Sequence, residues 1–300
     1  MIEGIMMVGP EKSTAAFCDE NGSITTEEIT YTPILKAHPI LGKPFIRGTF
    51  SMVDSLRRGY KALSIAADKF VGEEEEPQSG FGKWLTDRFG DKITNAIMLL
   101  ASVLGVGLAM LLFFVLPTVL FNLLSGAVSA NIAPLRAIFE GFLRFLLFLA
   151  YMVAVSFVPD IHRTFMYHGA EHKTISCYEQ NLPLTVENVR KQTRFHPRCG
   201  TSFMILMLLI SIFIGFFIPF THPITRSLTK ILTIPLVMNI GYELLRLCGR
   251  HDNLLTRIIA TPGLWMQRLT TKEPEDKMME AAIIAMEAVI PANGEDLVLQ

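Results

Sequence analysis

The chain has 300 residues, half of them hydrophobic and 18% charged, with 27 Lys and Arg against 28 Asp and Glu for a net charge of -1. A mean hydropathy of +0.39 exceeds what a soluble domain needs to fill its core, so the composition points to a lipid bilayer as solvent. The balanced charge gives no general attraction for nucleic acid, which leaves membrane lipids and membrane proteins as the expected partners.

The predicted architecture is an all-α polytopic membrane protein with about four transmembrane helices. A cytoplasmic cap with a small N-terminal β-hairpin and amphipathic helices completes it. Residues 1–91 form the first cytoplasmic segment. Ser13 to Cys18 and Ile24 to Tyr31 flank Asn21-Gly22, a dipeptide that tolerates positive φ and favours a hairpin turn. After Pro44, Ile46, Phe50, Val53, Leu56, Tyr60, Leu63, Ala67 and Phe70 recur at intervals of three and four with basic residues between them. This predicts an amphipathic helix on an anionic membrane surface, scaffold by default. Glu73 to Glu76, followed by Pro77, Gly80 and Gly82, reads as a solvated linker. No cleavable signal peptide is expected, so the first span would direct insertion.

Spanning the roughly 30 Å of hydrocarbon takes roughly 20 apolar residues in a helix. Four stretches qualify: Ile93 to about Leu116, about Ile138 to Val158, Phe203 to Phe220, and about Leu228 to Leu247. They assign spans one and two to residues 92–158 and spans three and four to residues 202–248. Pro117 is expected to end the first span and Pro235 to kink the fourth. Arg136, Glu140 and Arg144 in the second span are four apart and form a self-neutralising stripe facing another helix, whereas Asn239, Glu243 and Arg246 share one face of the fourth.

Between spans two and three, residues 159–201 carry Arg163, Lys173, Arg190, Lys191, Arg194 and Arg198, while the other short connections are nearly free of positive charge. The positive-inside rule places this loop in the cytoplasm of a multi-pass membrane protein, with both termini on that side. The four cysteines, Cys18, Cys177, Cys199 and Cys248, then lie in or beside reducing cytoplasmic segments, so disulfides are not expected. The final segment, 249–300, reads as an interfacial stretch interrupted at Pro262-Gly263, then an acidic-first helix from Pro274 to about Val289.

The loop at 159–201 also carries the chemistry. His168, Gly169, Ala170, Glu171 and His172 make an H-x-x-E-H pentapeptide in a segment without proline, Arg163 to Glu179, followed by a capped start at Leu184 to Asn188 and by His196-Pro197-Arg198-Cys199. Residues four apart stack on one helical face, so two imidazoles can reach one metal ion with a carboxylate beside them. This predicts His168 and His172 as ligands of a divalent metal, zinc by ligand type, and Glu171 as the catalytic base. His196, Cys199 and Glu243 are the candidates for the third ligand. Three plainer readings compete: hydrogen-bonded surface histidines, a closed structural metal, and a lipid-phosphate patch with Lys173, Arg194 and Arg198. Cys177 reads as a small hydrophobe.

The runs Tyr167 to Lys173, Leu184 to Arg190, His196 to Phe203 and the opening Glu3 to Met7 closely resemble the YqhQ-like family of bacterial membrane proteins, over nearly the whole chain to about Ile290. That family has no established function and its members are labelled predicted metal-dependent enzymes. The resemblance implies a site at His168, Glu171, His172, His196 and Cys199, with Tyr242-Glu243 matching a further family-like segment. Two functional readings are open: a metal-dependent hydrolase at the cytoplasmic membrane surface, or a non-enzymatic scaffold. The scaffold would dock lipid headgroups or protein-insertion machinery, with a structural metal or none.

Overall fold

The computed structural model describes residues 3–10, 12–19, 22–70, 91–128, 131–251 and 253–291. Strands β1 (Gly4–Val8), β2 (Ser13–Cys18) and β3 (Ile24–Ile29) are followed by helices α1 (Ile34–Ala37), α2 (Arg47–Phe70) and α3 (Asp91–Met110), a π turn at Leu111–Val115, and α4 (Leu116–Ala127). Then come α5 (Arg136–Ser156), α6 (Pro159–Glu179), α7 (Val186–Arg190), α8 (Gly200–Gly215), α9 (Pro223–Leu232), α10 (Ile234–Arg250), α11 (Leu254–Thr270) and α12 (Asp276–Val289). The acidic linker and Asn21 lie outside the described residues.

The chain divides into two compact units, one of Met1–Lys69, Leu149–Ile210 and Pro235–Gln300, the other of Phe70–Phe148 and Ser211–Ile234. In the first unit the expected hairpin supplies two strands, β2 and β3, of a three-stranded antiparallel sheet in the order β1-β2-β3, with Ile5 opposite Ala16 and Ala16 opposite Thr26. Strand β1 escapes a pattern search because Gly4-Ile5-Met6-Met7-Val8 is continuously apolar rather than alternating. Helix α12 covers the sheet. Its Met278, Met279, Ala282, Met286 and Val289 are buried against Ile5 and Met7 from β1, Tyr167, Ala170 and Cys177 from α6, and Val189 from α7. The C-terminal helix is therefore the centre of this core, not a surface element.

Helix α7 starts where the sequence predicts, with Thr185 Oγ1 accepting the Asn188 N–H at 3.3 Å. Helix α11 corrects the expected interruption at Pro262-Gly263, since it runs through both residues from a capping box formed by Asn253 and Thr256. Pro262 costs the helix one hydrogen bond. Gly263 allows a close approach, because a Cβ there would lie 2.5 Å from Ser202 Cβ.

In the second unit, Pro117 does not end the first apolar helix, which continues from Ser102 to Ala127. A proline denies its N–H to the carbonyl four residues earlier, here that of Phe113. The π turn opens the helix at that point, and Arg144 Nε donates to the freed Phe113 carbonyl at 2.8 Å. Glu140 pairs with Arg226 at 2.9 Å and with Lys230, both from α9, while Arg136 approaches it at 3.7 Å. The Arg226 guanidinium also donates to the carbonyls of Ile218, Phe220 and Gly215. The stripe on α5 is thus neutralised mainly by α9, not by its own helix.

Among the described residues two helices are long and apolar enough to cross a membrane, Ser102–Ala127 and Ala133–Ser156, and the bent pair α9 and α10, counted as one span, raises the number to three. The third predicted span shortens to the 16 residues of Gly200–Gly215, about 24 Å of helix. The expected kink at Pro235 is a break at Thr233, with Pro235 the second residue of α10.

Candidate metal centre

Helix α6 begins at Pro159, a favourable first position because its missing donor would be unpaired there in any case. It carries His168 and His172 one turn apart, with ring centroids separated by 4.4 Å. Cys199 is the residue before α8: its carbonyl accepts the Phe203 N–H at 3.1 Å and its Sγ accepts the Thr201 N–H at 3.4 Å. A thiol in this capping position faces the positive end of the helix. His168 Nε2 lies 3.2 Å from Cys199 Sγ, and the ligand atoms of His168, His172 and Cys199 all lie within 4.8 Å of one another.

Both imidazoles are oriented from behind. His168 Nδ1 meets the Thr270 carbonyl at 2.9 Å and His172 Nδ1 meets the Arg194 carbonyl at 2.6 Å. A carbonyl only accepts, so the proton sits on Nδ1 in both rings and each Nε2 is left for the shared centre. Backbone anchoring of this kind is the usual outer support of histidine ligands. Thr270 is brought there by α11 and the turn after it, where Lys272 N–H donates to the Phe165 carbonyl at 2.9 Å. A side chain at Gly169 would collide with the Lys272 carbonyl, so only glycine permits this approach.

Burial alone would raise the Cys199 pKa, but hydrogen bonds and charge from His168 and His172 outweigh it and bring the thiol down to about 5. For His168, burial works downward and is overcome by Cys199, Glu171 and the Thr270 carbonyl, leaving the imidazole at about 9. Each group thus favours the charged form of the other, the thiolate of Cys199 and the imidazolium of His168. Burial pushes the Glu171 carboxyl up, against the opposing charges of His168 and His172. Among the described residues none donates a hydrogen bond to the Glu171 carboxylate. Together with His168 it lines a cavity of about 480 Å³ walled by β1, Phe165, Ile175, Tyr178 and Met286.

The other candidate ligands are not in this group. His196 is 8% exposed, but its Nε2 faces the Glu179 carboxylate at 3.2 Å and its Nδ1 accepts the Arg198 N–H at 3.3 Å, which commits both ring nitrogens. Glu243 is held by Arg47 of α2 at 2.6 Å. The phosphate-patch reading loses its free cations too: Lys173 and Arg194 pair with Glu273, and Arg198 with Glu179. Cys177 is buried and, as the sequence suggests, behaves as a small core residue whose thiol burial pushes up.

Sequence reasoning missed the supports. Gln267, fully buried, accepts the His196 N–H at 2.8 Å and donates to the His196 carbonyl at 2.7 Å and to Ser202 Oγ at 2.8 Å, pinning the loop that carries Cys199. The Thr270 and Arg194 contacts are made by carbonyls, which every residue has, so no residue type could have signalled them.

A model for proteins of unknown function, DUF1385, matches residues 43–292. The chain belongs to the DUF1385 family. Over 293 residues it is 32% identical to the uncharacterized protein YqhQ of Bacillus subtilis (strain 168), an alignment covering 94% of this chain and 88% of that one. No solved structure matches the chain. Membership of this family agrees with the YqhQ-like resemblance of the sequence motifs and brings no activity with it.

Proposed function

We propose that this DUF1385 protein is a metal-dependent hydrolase at the cytoplasmic surface of a bacterial membrane, holding a divalent ion, zinc by ligand type, through His168, His172 and Cys199. The observation that carries the reading is the convergence of these three donors, with both Nδ1 atoms anchored to carbonyls, beside an unsaturated carboxylate on a cavity. Two nitrogens and a sulfur suit zinc, and three protein ligands leave a position open. When bound, the ion supplies Lewis acidity for hydrolysis. Glu171 takes a proton from the attacking water onto its carboxylate and returns it to the leaving group, a role favoured by its raised pKa.

The membrane assignment rests on the two or three apolar helices and the shorter apolar helix Gly200–Gly215; on this reading the positive-inside rule puts the basic loop and both termini on the cytoplasmic side. Helix α2 supports a seat on the lipid surface, since Leu56, Tyr60 and Leu63 are exposed along it. That face equally suits a scaffold that docks a membrane-protein partner.

Metal analysis of the purified protein, wild type against Cys199→Ala and Glu171→Gln, tests the site. One zinc per chain in wild type and Glu171→Gln, and its loss in Cys199→Ala, is expected. Wild-type protein that neither co-purifies with a divalent ion nor takes one up on addition would overturn the reading. Full genetic complementation by Glu171→Gln with none by Cys199→Ala would assign the metal to a scaffold.

A further inference from the structure

The two edges of the sheet are treated differently. Strand β3 carries Thr25, Thr26, Glu27 and Glu28, and α2 reaches over it with Lys69 on Thr25 and Glu27 and Lys61 on the Thr30 carbonyl. Charges and lysines are the ordinary means of blunting an edge strand. Strand β1 has none: its five residues are uncharged, and the cavity that reaches His168 and Glu171 runs along all of them.

The register says which groups this edge offers. The Glu3 carbonyl accepts the Cys18 N–H and the Gly9 N–H donates to the Lys12 carbonyl, so Glu3, Ile5, Met7 and Gly9 turn their backbone groups toward β2. Gly4, Met6 and Val8 therefore point their N–H and C=O groups outward, and no described residue bonds to them there. Unpaired donors and acceptors repeated at two-residue intervals are matched by another extended backbone. A lipid acyl chain has nothing to offer them.

We infer that the substrate is an extended peptide segment, bound by adding a strand to the free edge of β1 through Gly4, Met6 and Val8, with alternate side chains in the apolar part of the cavity. The chemical step after binding rests on the hydrolase reading: water adds to the peptide carbonyl, the C–N bond breaks, and the proton taken by Glu171 goes to the departing amine.

The test uses full-length Glu171→Gln protein in lipid nanodiscs and, as probe, a blocked hexapeptide of alternating leucine and threonine with a fluorophore on a C-terminal lysine. Saturable binding by anisotropy is expected. N-methylation of every second peptide amide should weaken it about tenfold, while methylation of the amides between should not. Met6→Pro, which deletes an outward donor without breaking the ladder to β2, should weaken binding by a similar factor and leave the zinc content unchanged. No binding, or N-methyl sensitivity without a two-residue period, overturns the inference; the peptide scan decides even if Met6→Pro does not fold. Period-two binding by a protein whose wild type leaves the peptide intact removes the hydrolase and keeps the docking edge. Cleavage without the period removes the edge and keeps the hydrolase.

Discussion

Glu140 and Glu171 are acids set within the fold, one buried and one half-buried, one in each compact unit, and their surroundings are opposite. Glu140 is saturated: Arg226, Lys230 and Arg136 surround it, and Arg226 spends its remaining donors on three carbonyls. Glu171 has neighbouring charge but no donor among the described residues, and it opens onto a cavity. A fully paired buried carboxylate is a structural joint, whereas an unpaired one keeps its proton affinity available for chemistry. The same contrast separates His196, whose nitrogens face Glu179 and the Arg198 N–H, from His168 and His172, each anchored to a carbonyl by Nδ1 with its other nitrogen toward Cys199.

The largest effect expected from this contrast is on proton affinity. In metal-stripped protein, the ultraviolet thiolate absorption of wild type minus Cys199→Ala should be present at neutral pH and disappear only as the pH falls through about 5, against an ordinary thiol value of 9.0. The sign is that of a depressed pKa: the thiolate is the folded-state form above that value. His168, raised to about 9, should keep its imidazolium until the pH climbs through it. Titration of Cys199 near 9 would remove the distinction between this site and an ordinary buried thiol such as Cys177.

Next in size is the stability contrast. Removing the paired acid, Glu140→Ala, strands buried cations and should cost about 3–5 kcal/mol in detergent unfolding. Removing the unpaired one, Glu171→Gln, should leave stability unchanged or raise it. Equal losses would mean that Glu171 is as structural as Glu140.

A smaller cost, about 1–3 kcal/mol, is expected for Gly169→Ala, because the new methyl meets the Lys272 carbonyl and pushes away the turn that presents Thr270 to His168. Zinc affinity should fall with it by about 10–100-fold, the usual effect of losing an outer support. Unchanged metal binding in a folded variant would show that the carbonyl does not hold the imidazole. The smallest effect belongs to Arg190→Ala, which deletes an exposed pair with Asp276 and should move stability by less than about 0.5 kcal/mol.

The sequence by itself determined what depends on neighbours along the chain. The period of α2, the cap at Thr185, the turn preference at Gly22 and the one-turn spacing of His168 and His172 are all local, and all could be read. Polarity also made the long apolar helices legible, because hydrocarbon admits little else. Boundaries failed where a distant group intervened: Pro117 was a stop until Arg144 supplied the donor that the Phe113 carbonyl had lost. The third member of the candidate metal group was open among His196, Cys199 and Glu243. Of these the structure sets Cys199 beside the two histidines, with Glu179 taking His196 and Arg47 taking Glu243. Helix α12 became a core helix only through packing against β1 across more than 200 residues of chain. Hydrogen bonds and packing between remote segments carry no signature in either segment alone, so tertiary structure decides them.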